Sequence, residues 1–165
     1  MELFTLAKQQ GISTCIDTAG APFTRDAVWF EKFNKLMEVT DLLLMDIKHI
    51  DSKEHLELTG KNNDNIIDMF HYLDQINKPI WIRHVLVPTV SDKDEYLIKT
   101  RDFIRSLHNV KRVEILPYHT LGLIKYKELN LPNRLEGVDS PTPERVKNAK
   151  DILECEKYDL WKSEL

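Results

Sequence analysis

Cysteine is scarce in this sequence, and its two thiols lie far apart. Cys15 and Cys155 are the only cysteines among 165 residues. Their separation matches no metal-binding spacing, and a disulfide between them is not expected in a reducing compartment. We interpret both as buried thiols.

Long apolar runs and an excess of basic charge are also missing. The net charge is −4, with 23 basic and 27 acidic residues, so no electrostatic footprint for nucleic acid is present. The apolar runs fall far short of the ~20 residues that span a bilayer. Glu2 and Lys8 interrupt the start and no apolar h-region follows, so we expect no secretory signal. We therefore expect one cytoplasmic domain, residues 1–165, without nucleic-acid or membrane partners.

Short apolar segments alternate with helical patterns along the chain. The spacing of Trp29, Phe33, Leu36 and Met37 is that of one helix face, for example. The predicted strands are 14–16, 42–45, 80–87 and 113–116. This alternation predicts a parallel α/β fold, and four β/α units are half of an eightfold barrel. A doubly wound sheet is the competing interpretation, although the segment 17–20 lacks the dinucleotide fingerprint.

Polar residues stand where the predicted strands end, which is where parallel α/β folds bind ligands. With a period of two, Asp46 and Lys48 share a face and point into the barrel mouth. Arg83 lies within an otherwise apolar strand and needs an anionic partner, either a ligand carboxylate or an aspartate. The polar strand-end residues are Asp17, Thr18, Asp46, Lys48, Arg83, His84, Tyr118 and His119.

Simpler structural roles are open for the same residues. Asp17 and Asp46 could cap loops or pair with Lys48, and Arg83 could form an ion pair inside a barrel. A lone histidine such as His119 is often a packed or surface residue. The orientation of Glu114 is open, and we interpret the remaining loop and helix histidines as solvated: His49, His55, His71 and His108.

Four segments in order resemble the glycyl-radical activating enzymes of the radical SAM (S-adenosylmethionine) superfamily. They are CIDTAG at 15–20, VTDLLLMDIK at 39–48, WIRHVLVP at 81–88 and LPYH at 116–119. The sequence is most similar to the activating enzymes of pyruvate formate-lyase, from about residue 4 to residue 154. The resemblance implies a partial (β/α) barrel, here N-terminally truncated to about four β/α units.

The same resemblance implies cofactors and partners. In the family, SAM and a [4Fe–4S] cluster generate a glycyl radical on pyruvate formate-lyase, and the electron comes from a donor such as flavodoxin or ferredoxin. The resemblance implies the same cofactors and partners for the whole protein here. By resemblance, Lys48, Arg83 and His119 contact SAM. A monovalent cation is expected at a second set of residues, namely Asp17, Thr18, the Leu44 carbonyl and Asp46.

Two family motifs are absent from the sequence. It contains neither the Cys-x3-Cys-x2-Cys cluster motif nor the Gly-Gly-Glu segment that holds the SAM amino group. We expect both upstream of Met1, and we expect the fragment to be inactive alone. The truncated edge at 14–17 is expected to self-associate or to be covered by the first helix, 3–10.

Three rival functions remain open. One is activation of another glycyl-radical enzyme. The second is a non-redox, metal-dependent barrel enzyme that uses Asp17 and Asp46 for hydrolysis or aldol chemistry. The third is a SAM- or protein-binding module without catalysis.

The cysteine content gives the first testable prediction. After anaerobic reconstitution with iron and sulfide, the purified chain should retain no cluster, because two separated thiols cannot supply three converging thiolate ligands. Iron and sulfide assays check this. Four irons per chain with the visible absorption of a [4Fe–4S] protein would contradict it.

Overall fold

A four-stranded parallel sheet organises the computed structural model, which describes residues 1–159. The strands β1 to β4 pair in chain order and are all parallel. Right-handed crossovers between sequential neighbours place every connection on the same side of the sheet. The sheet is therefore wound in one direction, as in a barrel, and the doubly wound alternative is wrong. The strands are β1 (Cys15–Thr18), β2 (Leu42–Asp46), β3 (Ile80–Leu86) and β4 (Val110–Pro117).

Helices follow each of the strands in the described part of the chain. Side chains cap the N-termini of two of them: Asp26 accepts the Trp29 N–H at 3.1 Å, and Thr142, which precedes Pro143, accepts the Arg145 N–H at 3.2 Å. Asp92 does not cap the helix after β3 but accepts the Thr89 N–H at 2.8 Å. The helices are α1 (Glu2–Gln9), α2 (Ala27–Glu38), α3 (Ser52–Thr59), α4 (Asp64–Gln75), α5 (Asp94–Arg105), α6 (Leu123–Glu128) and α7 (Pro143–Ile152).

The hydrophobic core lies between one face of the sheet and the helices. Along β2 and β3 every second residue is buried, as the two-residue period of a strand requires. These strand residues pack with apolar side chains of α4 and α5, and the fully buried members include Leu43, Met45, Ile80, Ile82, Leu86, Phe70, Leu73, Leu97 and Ile104. The alternation thus decides which strand residues form the core.

The opposite face of the sheet, called here the open face, carries the remaining strand residues. Leu44, Trp81 and Val85 are half-buried there, and Cys15 is exposed. The prediction of a buried Cys15 is therefore wrong, because this residue lies on the face away from the helices. Cys155 is half-buried, and burial raises the pKa of its thiol to about 11.

Helix α1 is attached to the sheet mainly at its C-terminal end. It contributes no buried residue, and Leu3 and Leu6 are exposed. Lys8 Nζ lies 2.6 Å from a carboxylate oxygen of Asp41, and Asp41 also accepts the Thr14 N–H at 2.8 Å. Within residues 1–159, no helix is long and apolar enough to cross a membrane.

Gly20, in the turn after β1, and Gly60, after α3, both have positive φ but differ in the space around them. Comparing the same substitution at both glycines measures how tightly the turn after β1 is packed. Gly20 has φ +74°, and an added Cβ would meet Met69 Sδ at 3.2 Å, whereas Gly60 has φ +80° and open space around it. Gly60→Ala should cost about 1 kcal/mol of backbone strain. Gly20→Ala should cost roughly 2–3 kcal/mol, because crowding adds to that strain. Urea unfolding measures both, and equal losses would show that the crowding is relieved without cost.

Candidate functional site

Three charged side chains meet on the open face near the carboxyl ends of β1, β2 and β3. Asp46 stands opposite Arg83 in the parallel register. The Arg83 Nη2 atom contacts Asp46 Oδ1 at 2.8 Å and also contacts Asp17 Oδ1, while Nε donates to Asp46 Oδ1 at 3.0 Å. Asp17 and Asp46 therefore approach one another, with the Arg83 guanidinium between them.

Lys48 extends this set into a network of two carboxylates and two cations. Its Nζ lies 2.6 Å from Asp46 Oδ2, so each oxygen of Asp46 faces a different cation. The side chains of Asp46 and Arg83 are only 15% and 18% exposed, whereas Asp17 is 59% exposed. Asp46 is therefore the enclosed member and Asp17 the accessible one.

The position expected for a monovalent cation is taken by the Arg83 guanidinium. Burial opposes the charge of Arg83, but its bonds to Asp17 and Asp46 outweigh burial and raise the pKa of the guanidinium. A small cation bound at this position would have to displace Arg83 from Asp17 and Asp46. Among the other expected ligands, Leu44 lies beside Asp17 in register.

Thr18 faces away from this network. It pairs in register with Met45, on the helix side of the sheet, and its Oγ1 accepts the Gly20 N–H at 3.0 Å. The cation site, including Thr18, stays a prediction. Within residues 1–159 there is no group of three or more His, Cys, Asp or Glu side chains that could hold a metal ion.

The residues after β4 lie on the far side of β3 from Lys48. The Tyr118 N–H donates to the Leu86 carbonyl at 3.1 Å and continues the strand pairing, and His119 follows it as an exposed residue. Glu114 lies on the open face and forms an ion pair with Arg112, whose guanidinium stands 4.9 Å from the Trp81 ring centroid. The orientation of Glu114 is thus settled.

Two of the histidines that the sequence placed in solvent are buried. His49 and His55 are 2% and 4% exposed, so that prediction is wrong for them, whereas His71 and His108 are exposed. His49 continues the buried two-residue period of Met45 and Ile47, and His84 lies between buried Ile82 and Leu86. The same period could have identified both as buried. Burial lowers the pKa of each imidazole.

A cleft of about 600 Å³ opens beside Lys48. Pockets of this size hold small molecules. Its polar lining comes from Lys48, from α3, from the loop before α4 and from the first turn of α4: Lys48, His55, Thr59, Lys61, Asn62 and Asn65. The cleft and the charged network together form the candidate site.

Sequence comparison finds known proteins that are similar to this chain. The chain is 49% identical over 163 residues to a pyruvate formate-lyase-activating enzyme of Streptococcus mutans, covering 99% of the chain and 62% of that protein. It is 51% identical over 158 residues to one of Listeria monocytogenes, covering 96% and 64%. The chain thus spans less than two thirds of these curated relatives. No protein-family model matches it.

Structural comparison agrees with this result. A domain of a pyruvate-formate lyase-activating enzyme from Bacteroides vulgatus superposes with a TM-score of 0.73 and 22% identity, over 93% of this chain and 82% of that one. Coproporphyrinogen III oxidase of Escherichia coli, a radical SAM enzyme, gives a TM-score of 0.60 and 14% identity, over 98% and 36%. The fold is the radical SAM type of partial barrel, and the resemblance to pyruvate formate-lyase-activating enzymes is confirmed.

The charged network gives a stability prediction. Arg83→Met should lower the free energy of unfolding by about 2 kcal/mol, because Asp46 then keeps Lys48 but loses both Arg83 contacts in an enclosed position. Arg83→Met combined with Asp46→Leu should recover part of this loss, because no enclosed carboxylate then remains, and the two charges left without a partner, Asp17 and Lys48, are 59% and 36% exposed. Urea unfolding measures all variants.

A matched control is available on α2. Lys35 pairs with Glu31 at 2.7 Å, but both side chains are more than half exposed. Lys35→Met should therefore cost no more than about 0.5 kcal/mol. A loss for Arg83→Met as small as that for Lys35→Met would show that the network does not stabilise the fold.

Proposed function

We propose that the chain is part of a pyruvate formate-lyase-activating enzyme, which uses SAM and a [4Fe–4S] cluster to generate a glycyl radical on its partner. The observation that carries this proposal is the 49–51% identity over almost the whole chain to enzymes of that name. The radical SAM fold agrees with it. Activation of another glycyl-radical enzyme is the runner-up within the same chemistry.

The charged network supports SAM as a ligand. SAM carries a carboxylate, an amino group and a sulfonium, so it needs both cations and anions in its site. Lys48 and Arg83 offer donors for the carboxylate, while Asp17 is an accessible carboxylate for a cationic group. His119 is exposed beyond β4 and completes the proposed SAM set. The donor set therefore fits SAM.

The same residues do not fit the iron–sulfur cluster. Cys15 lies on β1, and Cys155 lies after α7, so the two thiols belong to different elements. A cluster requires three or four converging ligands. The two cysteines of this chain therefore cannot hold the cluster, and we propose that the 165 residues alone are inactive. Bound together in the whole enzyme, SAM and the cluster supply the one-electron chemistry.

In this proposal the chain binds and orients SAM. Lys48 would hold the carboxylate of SAM, and Asp46 holds Lys48 in place through the 2.6 Å contact. Arg83 keeps the strands β1, β2 and β3 together at the same edge. The side chains of this network thus position the ligand, while the redox chemistry belongs to the cofactors.

The partners follow from the proposed activity. They are pyruvate formate-lyase as the glycyl-radical enzyme, and flavodoxin or ferredoxin as the electron donor, in the cytoplasm. The described part of the chain shows β1 paired on one side only, by β2. An unpaired strand edge is a template for another chain, so we also propose self-association through β1.

Titration calorimetry tests the SAM site directly. SAM should bind the chain saturably, and Lys48→Met should weaken this binding about 10-fold or more, because a charge-assisted hydrogen bond contributes about 1.5–3 kcal/mol. His119→Ala should also weaken binding. His71→Asn is the matched control, because His71 is exposed on α4. It should leave the affinity unchanged.

Two results would count against the proposal. Absence of saturable SAM binding would remove the ligand assignment. Equal affinities for the wild-type chain and Lys48→Met would place SAM elsewhere.

A further inference from the structure

A buried imidazole lies directly behind the candidate site. His84 is 2% exposed and belongs to β3, next to Arg83 in the sequence but on the opposite face. Its Nδ1 lies 2.8 Å from the Ile47 carbonyl, and its Nε2 lies 3.3 Å from the Ser91 carbonyl. The ring thus connects the segment after β2 with the loop after β3.

The two contacts indicate which tautomer is present. Both partners of the ring are carbonyl oxygens, which only accept hydrogen bonds, so a neutral imidazole can donate to one of them only. The 2.8 Å contact is the shorter and places the proton on Nδ1. Burial disfavours the charged form in which both nitrogens would donate.

The carbonyl that His84 holds belongs to the peptide group preceding Lys48. The N–H of Ile47 is also fixed, because it donates to the Arg83 carbonyl at 2.9 Å. On the other side of Lys48, the buried Asn63 amide donates to the carbonyls of His49 and Ile50 at 3.1 and 3.0 Å. Lys48 therefore projects from a backbone that is held on both sides.

We propose that His84 is a positioning residue for Lys48: its Nδ1–H fixes the peptide group from which Lys48 reaches Asp46 and the ligand. His84 touches neither Lys48 Nζ nor the open face, so it acts through the backbone of Ile47. Loss of this hydrogen bond frees the peptide group, and the Lys48–Asp46 contact then loosens. The part of this inference that concerns SAM rests on the proposed function.

Two substitutions separate the hydrogen bond from packing. His84→Asn keeps an amide donor at the position of Nδ1, whereas His84→Leu removes the donor and keeps a buried side chain. His71→Asn is the exposed control. SAM affinity is measured by calorimetry, and the rate of acetylation of Lys48 is measured by mass spectrometry, since its side chain is 36% exposed and accessible to reagent.

The expected results depend on whether residue 84 still donates a hydrogen bond to the Ile47 carbonyl. His84→Leu should weaken SAM binding about fivefold, which corresponds to about 1 kcal/mol, and should speed acetylation of Lys48 at least ~2-fold as its pairing with Asp46 weakens. His84→Asn should stay within about twofold of the wild type in both measurements. In the wild-type chain, nitrogen NMR should show the His84 proton on Nδ1 at neutral pH.

Several results would overturn the inference about His84. They can be distinguished from results that contradict the proposed function. A proton on Nε2 would contradict it even if neither variant folds. Equal loss in His84→Asn and His84→Leu would show that packing alone matters, and unchanged acetylation in His84→Leu would show that Lys48 is positioned otherwise. If the wild-type chain binds no SAM, the proposed function fails, while the tautomer and the acetylation rates still decide the role of His84.

Discussion

Within residues 1–159, helices cover only one face of the parallel sheet, and the rest of the structure depends on this constraint. Successive strand residues point to opposite faces, so β2 and β3 divide into a buried apolar set and a second set on the open face. Charged residues in the second set escape the cost of full burial. The site is thus a consequence of how the sheet is covered.

Charge balance on the open face explains why Arg83 can lie in the middle of an apolar strand. Asp46 stands opposite it and Asp17 lies on the next strand, so the guanidinium joins three strands. Because Asp46 and Arg83 are both largely enclosed, solvent screens this pair less than a surface pair. The same network serves a structural role and presents Lys48 at the cleft.

A second layer of polar contacts supports the site from the helix side. His84 and Asn63 are buried, and both bind backbone carbonyls next to Lys48. Buried donors that satisfy loop carbonyls fix loops which would otherwise lack regular partners. The loop after β2 is consequently ordered by side chains, whereas the segment around α6 exposes Leu121, Ile124 and Leu129.

The sequence by itself determined the parallel α/β fold, the face on which Asp46 lies and the need of Arg83 for an anion, because these follow from periodicity and from the cost of burying charge. Only the tertiary structure decided that Arg83, and not Lys48 or an ion, lies between Asp17 and Asp46, and that Cys15 is exposed while His49 and His55 are buried. The reason is that strand register and the choice of covered face arise from packing between segments distant in sequence, which local patterns do not record.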